Sequence, residues 1–314
     1  MTSDQKGIVL VVIGMVLFSV QDALIKNLST HASLIQIFVC RGVIGMVILS
    51  IFLRLTNRKL SIKSNNPKIA ITRGLLFPFA FLCFYLAIAA MPIAEASALF
   101  FVSPFFMTIL SKIILKNKVG IHRLVAIMVG FVGIIFIIKP EFANFNWVMI
   151  LPIVCAFAYS LSMILTIYTK DSDTTYQQTS HVYLGSIAVG TIVYLVFGNF
   201  NEHYSDNPSL SYLLRAWDFT DFTILFKILV ISFIGTIGIL CLINAYRIGL
   251  PSVVSPFEYT MIINALIIGY FIFHEQPDYY SIIGMTLIIL SGIYIFFRER
   301  PRKTKIVTEN SLRK

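Results

Sequence analysis

The sequence predicts an all-α integral membrane protein whose ten transmembrane helices form two inverted five-helix repeats. Three observations carry that prediction: charge is scarce, the apolar runs have membrane-spanning length, and a pattern recurs between the halves. Of 314 residues, 57% are hydrophobic and 13% charged, with a mean hydropathy of +0.84. Soluble domains carry about 25% charged residues, so a water-facing surface cannot be built from this composition and a soluble enzyme is excluded. Cys40, Cys83, Cys155 and Cys241 stand singly in apolar runs, without disulfide or metal-ligand spacing, and read as small buried hydrophobes. The run from Gly7 to Val20 follows Lys6 as a signal peptide would, but no small-x-small site closes it, so it reads as a retained first span.

A bilayer core needs about 20 apolar residues per helix. Divided at its charged or Pro/Asn-rich breaks, the chain yields helices over 7–27, 33–54, 69–90, 92–114, 121–139, 147–168, 177–199, 223–247, 250–273 and 279–297. Most loops are short; Arg54 to Lys68 and Asn199 to Phe222 are the long ones. The repeats are read as 7–139 and 147–297, with 298–314 a basic tail. With an even number of spans both termini share a side. Lys6, the Arg54–Lys68 segment, Lys112 to Arg123, Lys170, Arg247 and the tail then hold most of the 25 basic residues on that side. The long loop opposite carries Glu202, Asp206, Asp218 and Asp221. The positive-inside rule makes the shared side cytoplasmic, in a cell inner membrane. The +10 net charge is thereby an orientation signal, and no nucleic-acid partner is expected.

Pro92 to Gly133 and Pro251 to Gly292 can be laid over each other at one offset. Each opens with Pro at a helix start, breaks at a polar turn (Lys116-Asn117-Lys118; His274-Glu275-Gln276-Pro277-Asp278) and ends in a Gly-containing helix. Phe18 to Lys26 likewise resembles Phe157 to Leu165. Five is odd, so the second half enters the membrane upside down, the arrangement of many secondary transporters with a site near the midplane. The run Phe84-Tyr85-Leu86-Ala87 through Met91-Pro92-Ile93-Ala94-Glu95-Ala96, then Ser103-Pro104, resembles the helix 3 to 4 signature of the EamA-type drug/metabolite transporter superfamily, in its bacterial ten-helix form. Pro251-Ser252-Val253-Val254-Ser255-Pro256-Phe257-Glu258-Tyr259-Thr260 is similar to the helix 9 signature of its bacterial members, and Gly130-Phe131-Val132-Gly133 with Lys139-Pro140 also fits. The resemblance implies fold and transport, not substrate. One departure stands out: the turn after helix 4 usually ends in an acid, and Lys116-Asn117-Lys118 has none, so that role is absent or moved to Glu275.

Ionisable groups inside spans cost about 2.5–3.5 kcal/mol at a helix centre and usually face a cavity or a partner. Asp22 and Lys26, at i and i+4 on helix 1, share a face and can pair. Arg41 and Glu95 fall at similar depth in the outer half. Arg73 opens helix 3, and Glu258 lies in helix 9 with no basic partner on its own helix. Gln21, Asp22, Arg41, Glu95 and Glu258 are expected to line a central cavity, binding polar groups of a substrate or carrying a proton; the alternative makes Arg41–Glu95 and Asp22–Lys26 structural bridges. Lys26 and Arg73 are close enough to an interface to snorkel. Asn244 and Asn264 add neutral polar groups. The resemblance puts Phe84, Tyr85, Phe101, Tyr159, Tyr246, Phe257 and Tyr259 on helices that wrap the cavity, where buried tyrosine hydroxyls need partners and planar or cationic substrates suit the walls. Gly42, Gly45, Gly130, Gly133, Gly235, Gly238, Gly284 and Gly292 supply small packing faces, and Pro104 and Pro256 interrupt helices 4 and 9.

Zinc-helix, phosphate-loop and Ser/His/Asp signatures are missing, so neither an enzyme nor a cofactor is expected. The partners expected are a small-molecule substrate and the lipid bilayer, with the protein a monomer or homodimer. The function expected is a secondary transporter moving a small organic metabolite by alternating access, coupled to protons or run as an exchanger. The family implies amino-acid-, nucleoside-, vitamin- or S-adenosylmethionine-like substrates, and the acids beside aromatics favour a cationic or zwitterionic one. The alternative is a channel or sensor without a coupled cycle.

Overall fold

The stretches that read as apolar spans are helical. The computed structural model describes residues 3–116, 121–138, 147–197, 207–249 and 254–298. The basic tail beyond Arg298, Asn117-Lys118, Lys139-Pro140, Glu202, Asp206 and Pro251-Ser252-Val253 lie outside the described residues. In chain order the helices are α1 (Ser3–Leu28), α2 (Leu34–Leu55), α3 (Pro67–Ala90), α4 (Ile93–Phe100), α5 (Ser103–Ile114) and α6 (Ile121–Ile138). A 3-10 turn (Trp147–Ile150) leads into α7 (Leu151–Tyr168), followed by α8 (Thr175–Phe197), α9 (Pro208–Leu214) and α10 (Phe222–Ile248). A second 3-10 turn (Ser255–Tyr259) leads into α11 (Thr260–Phe273), and α12 (Tyr279–Arg298) ends the bundle. Among the described residues, 7 helical spans are long and apolar enough to cross a bilayer; Met128–Ile137, Phe257–Phe273 and Tyr279–Ser291 are shorter apolar helices. Large apolar side chains such as Ile135, Leu195, Phe226 and Phe271 stay exposed on the outside, as a lipid-facing surface requires.

Three departures from the sequence reading have local causes. Helix 4 is not continuous over 92–114: it stops at Phe100 and resumes at Ser103. Pro104 sits in the first turn of α5, where its missing N–H costs nothing, whereas within one long helix it would break the ladder. The ninth span enters through the 3-10 turn at Ser255, and α11 begins only at Thr260. When Pro92–Gly133 is laid over Pro251–Gly292, the break at Phe101-Val102 falls on Thr260-Met261, immediately after the 3-10 turn rather than on it. The long loop contains α9, capped by the Asn207 side chain, which accepts from the Ser209 N–H at 2.9 Å.

Packing follows a simple rule. Helix α1 packs on α10 and α11, and α7 on α3 and α5; α2 lies against α8 and α10, α8 against α2 and α3; α6 packs on α12 and α4 on α11. Exchanging the long helices of one half for those of the other leaves these partnerships unchanged. Close approach depends on glycine where backbones touch. A Cβ on Gly185 of α8 would overlap the Gly74 carbonyl of α3, and one on Gly133 of α6 would come within 2.7 Å of the Gly284 carbonyl of α12. Gly42 and Gly45 make room for Ile187 and Tyr183. All four cysteines are free.

The bundle has two ends. At the proximal end α1 begins, with Gly7 against Ala245 and Gly249 at the close of α10. At the distal end α1 stops, and Arg215, just after α9, donates from Nη1 to the carbonyls of Ser29 (2.9 Å) and Ala32 (3.3 Å). A cation there satisfies carbonyls that the end of a helix leaves open.

Candidate functional site

Between the ends, two polar clusters face each other across an aromatic wall. In the first, Gln21 of α1 donates from Nε2 to the Tyr85 hydroxyl of α3 at 2.7 Å, and Arg41 of α2 donates from Nη1 to the same oxygen at 3.1 Å. Asp22 is 1% exposed; neither carboxylate oxygen makes a close hydrogen bond among the described residues, but the Arg41 charge and the Gln21 and Tyr85 polar groups act on it. The Gln21 Oε1 is likewise unpartnered there. Arg41 enters this space because residue 235 is glycine: a Cβ on Gly235 would collide with Gln21 Oε1 and come within 3.0 Å of Arg41 Nη2. Gly235 thus makes room for site side chains rather than for a neighbouring helix backbone.

In the second cluster, Glu258, in the 3-10 turn before α11, is fully buried. Its Oε1 accepts from Tyr159 of α7 at 2.8 Å and Tyr246 of α10 at 2.5 Å. Its Oε2 has no partner among the described residues. Two phenols on one oxygen fix the carboxyl and leave the other oxygen available. The Tyr246 hydroxyl also lies 3.7 Å from Met107 Sδ. Tyr259 packs on Phe101 with centroids 5.0 Å apart, and its hydroxyl is unpartnered among the described residues.

Phe81 joins the two clusters. Its ring lies 5.8 Å from that of Tyr85 and 6.2 Å, edge-on, from that of Tyr159, and Phe77 and Phe100 complete the wall against Tyr159 at 6.0 and 5.2 Å. Phe77, Phe81 and Tyr85 recur every four residues on one face of α3. That spacing was the available signal for Phe77 and Phe81.

Each end carries an ion-pair cluster. At the distal end Lys26 turns away from Asp22 to Glu275, with Nζ–Oε1 2.5 Å and side chains 14% and 17% exposed. Lys26 also donates to the Met91 carbonyl at 2.8 Å and lies 5.4 Å over the Phe273 ring, while Glu275 Oε2 accepts from the Ile93 N–H at 3.0 Å. Glu95 stands near this pair, not beside Arg41, and accepts from Ser281 Oγ at 2.9 Å. The anticipated Asp22–Lys26 and Arg41–Glu95 bridges are both absent among the described residues.

At the proximal end Arg73, 1% exposed, does not snorkel. It donates to Thr169 Oγ1 at 2.8 Å, lies 2.8 Å from His181 Nδ1 and pairs with Asp173 at 3.7 Å. Ser64 donates to both Asp173 oxygens, and Arg247 donates to the Asp173 carbonyl at 2.6 Å. His181 Nε2 meets the Ile62 carbonyl at 2.6 Å. A carbonyl only accepts, so Nε2 carries the proton and Nδ1 receives the Arg73 hydrogen bond. Asn244 accepts from Thr175 Oγ1 at this same end.

Asn264 is on α11 with Nδ2 unpartnered among the described residues, and Phe257 is partly buried against the core. The structure therefore brings Gln21, Asp22, Arg41 and Tyr85 together, and Tyr159, Tyr246 and Glu258 together. Phe101 and Tyr259 form a pair of their own, and Glu95 is set apart from both clusters.

The profile of the EamA-like transporter family matches residues 5–139 and 146–298. The chain belongs to the EamA-like transporter family. An S-adenosylmethionine uptake transporter of Rickettsia prowazekii (strain Madrid E) is 24% identical over 294 residues, covering 94% of this chain and 93% of the relative. The pseudopaline exporter CntI of Pseudomonas aeruginosa (strain UCBPP-PA14) is 24% identical over 291 residues, covering 92% and 95%. An uncharacterized transporter of Helicobacter pylori (strain J99 / ATCC 700824) is 26% identical over 294 residues, covering 92% and 94%. A solved crystal structure superposes with a TM-score of 0.67 at 12% identity, over 94% of this chain and 97% of that one, which shows the shared fold. This EamA-like protein is a multi-pass membrane protein, and its family and relatives support a membrane transporter of small metabolites.

Proposed function

We propose that the protein is a secondary active transporter that moves a cationic or zwitterionic metabolite of the amino-acid or S-adenosylmethionine type across the inner membrane by alternating access. The observation that carries this reading is the buried Asp22 carboxylate, with neither oxygen in a close hydrogen bond among the described residues, beside an aromatic wall. A buried carboxylate with no close hydrogen bond, and only the charge of Arg41 and the polar ends of Gln21 and Tyr85 nearby, is incompletely compensated, and a substrate cation completes that compensation on binding. The Phe81–Tyr85–Tyr159 wall adds cation–π attraction or stacking for a planar group. Arg41 spends one hydrogen bond on Tyr85 and has further N–H donors for a substrate carboxylate. The free Glu258 oxygen accepts a second cationic group or exchanges a proton.

In this reading the long helices are ten spans in two inverted five-helix repeats, 7–139 and 147–297, with both termini cytoplasmic. The exchangeable packing partners support it, as does an interruption in both Pro-led spans at neighbouring positions. The repeats rock about the site, breaking the Lys26–Glu275 and the Arg73–Asp173 closures in turn. Counterflow in proteoliposomes tests the proposal. With S-adenosylmethionine as the probe, internal substrate should accelerate uptake of external label, Asp22→Asn should abolish the exchange, and Glu258→Gln should keep exchange while losing its dependence on pH. A channel would equilibrate label without acceleration by internal substrate. Unaltered exchange in Asp22→Asn would refute the assignment of the site.

A further inference from the structure

Outside the transport site, the proximal end carries two apolar crevices on either side of α8. The larger, about 420 Å³, lies between α3 and α8 beneath the 62–67 segment. Its walls are Ile71, Leu75, Leu184 and Ala188, and its mouth holds Lys63 and Ser64. The smaller, about 390 Å³, lies between α2 and α8 and runs to Arg54. Ile71 and Leu184 at the first crevice and Val43, Val47 and Ile51 at the second are exposed to the surroundings of the bundle, so both crevices open sideways, where acyl chains are the solvent. The rim is rich in basic residues: Arg54, Lys63 and the neighbouring Lys59 and Lys68 are exposed, and Arg58 is fixed over the start of α8 by a 2.7 Å hydrogen bond to Tyr176; the exposed Asp171 is the nearby acid, next to Ser172 on the far side of Asn65 and Asn66. No carboxylate lines either crevice among the described residues, and the nearby Asp173 is turned inward to Arg73 and Ser64.

We infer that this surface is a binding site for an anionic phospholipid, with an acyl chain in the α3/α8 crevice and the phosphate held by Lys63 and its basic neighbours. Charge complementarity selects the headgroup and the apolar walls select a lipid over a soluble anion. The site is joined to the proximal closure through one side chain. His181 lines the crevice, bonds the Ile62 carbonyl on one edge and meets Arg73 on the other. A lipid that holds the 62–67 segment in place thereby favours the proximally closed form.

Native mass spectrometry of the full chain, purified from vesicles of phosphatidylcholine with a minor share of phosphatidylglycerol, tests this. Phosphatidylglycerol should be retained over phosphatidylcholine by about tenfold or more, given the attraction of individual basic residues to anionic surfaces. Lys63→Glu with Lys68→Glu should bring retention to parity, and Ala188→Trp, which fills the crevice, should release the lipid with the lysines intact. The lysine pair is exposed, so its folding does not depend on the crevice. An absence of headgroup preference in the unaltered protein, an unchanged preference in both variants, or displacement by soluble glycerophosphate would each overturn the inference.

Discussion

Removing the distal ion pair should open the transport site to that side and to no other. Lys26→Met deletes the cation that holds Glu275 Oε1 at 2.5 Å and the Met91 carbonyl at 2.8 Å, tying α1 to the connection before α4 and the turn after α11. Exposed pairs contribute about 0.2–1 kcal/mol, whereas stripping a buried charge of its partner costs about 3–5 kcal/mol. At side-chain exposures of 14% and 17% the pair lies between these limits, at about 1–3 kcal/mol. If it acts on an opening equilibrium, distal accessibility should rise roughly 5- to 150-fold. Cys83 and Cys155 are buried and free, and both serve as native reporters once the half-buried Cys40 and Cys241 are replaced by Ala. A membrane-impermeant thiol reagent, applied separately from each face, should label Lys26→Met and Glu275→Gln faster from the distal face alone. The double variant should be no faster than either single one, because the interaction is already gone. Lower thermal stability with unchanged labelling from both faces would refute the gate and leave a merely structural bridge.

The remaining predictions concern packing and the site. Arg73→Met should lower stability by about 3–5 kcal/mol, read by thermal unfolding, because it leaves Asp173 buried without its cation. Arg73→Lys should not rescue it, since one ammonium cannot span Thr169, His181 and Asp173 as the guanidinium does. Gly185→Ala should cost about 1–3 kcal/mol or more by the same measurement, because its Cβ meets the Gly74 backbone, which cannot swing aside. Gly235→Ala should leave thermal stability nearly unchanged yet raise the KM of a carboxylate-bearing substrate by about tenfold, the worth of about 1.4 kcal/mol of displaced contact. An unaltered KM there would remove Arg41 and Gln21 from substrate binding.

Composition and run length made the helices legible, because the bilayer demands long apolar segments whatever the site does. What escaped was set by tertiary geometry. The end of α4 at Phe100 needs Pro104 to be read as a restart rather than a kink. Helix α9 announces itself only by Asn207 and Pro208, a seven-residue signal inside a polar loop. Among the site residues, Asp22, Arg41 and Glu258 were visible because charge inside an apolar span is costly. Their partners were not. Helical spacing favoured Lys26 for Asp22, but Lys26 lies near the end of α1 and its long chain reaches Glu275, which is remote in sequence. Phe81, which joins both clusters, looks in isolation like any other phenylalanine in a membrane bundle.

The packing partners exchange between halves, but the charges do not, and this difference matters for transport. If the ion pairs obeyed the repeat, both ends would be held alike and neither side would be preferred at rest. Instead the proximal pair is almost wholly enclosed, with side-chain exposures of 1% and 0%, and is braced by Ser64, Thr169, His181 and Arg247. The distal pair is closer, at 2.5 against 3.7 Å, but partly wet, with Met91, Ile93 and Phe273 around it. Separating enclosed charges costs more than separating wet ones, so under the proposed alternating-access cycle the expected first opening is distal. The acids are unequal as well: Asp22 comes from the first helix of one half and Glu258 from the interrupted fourth span of the other. In the proposed two-repeat cycle, exchangeable helix packing would make the two openings alike, and the unequal charges would give them different costs.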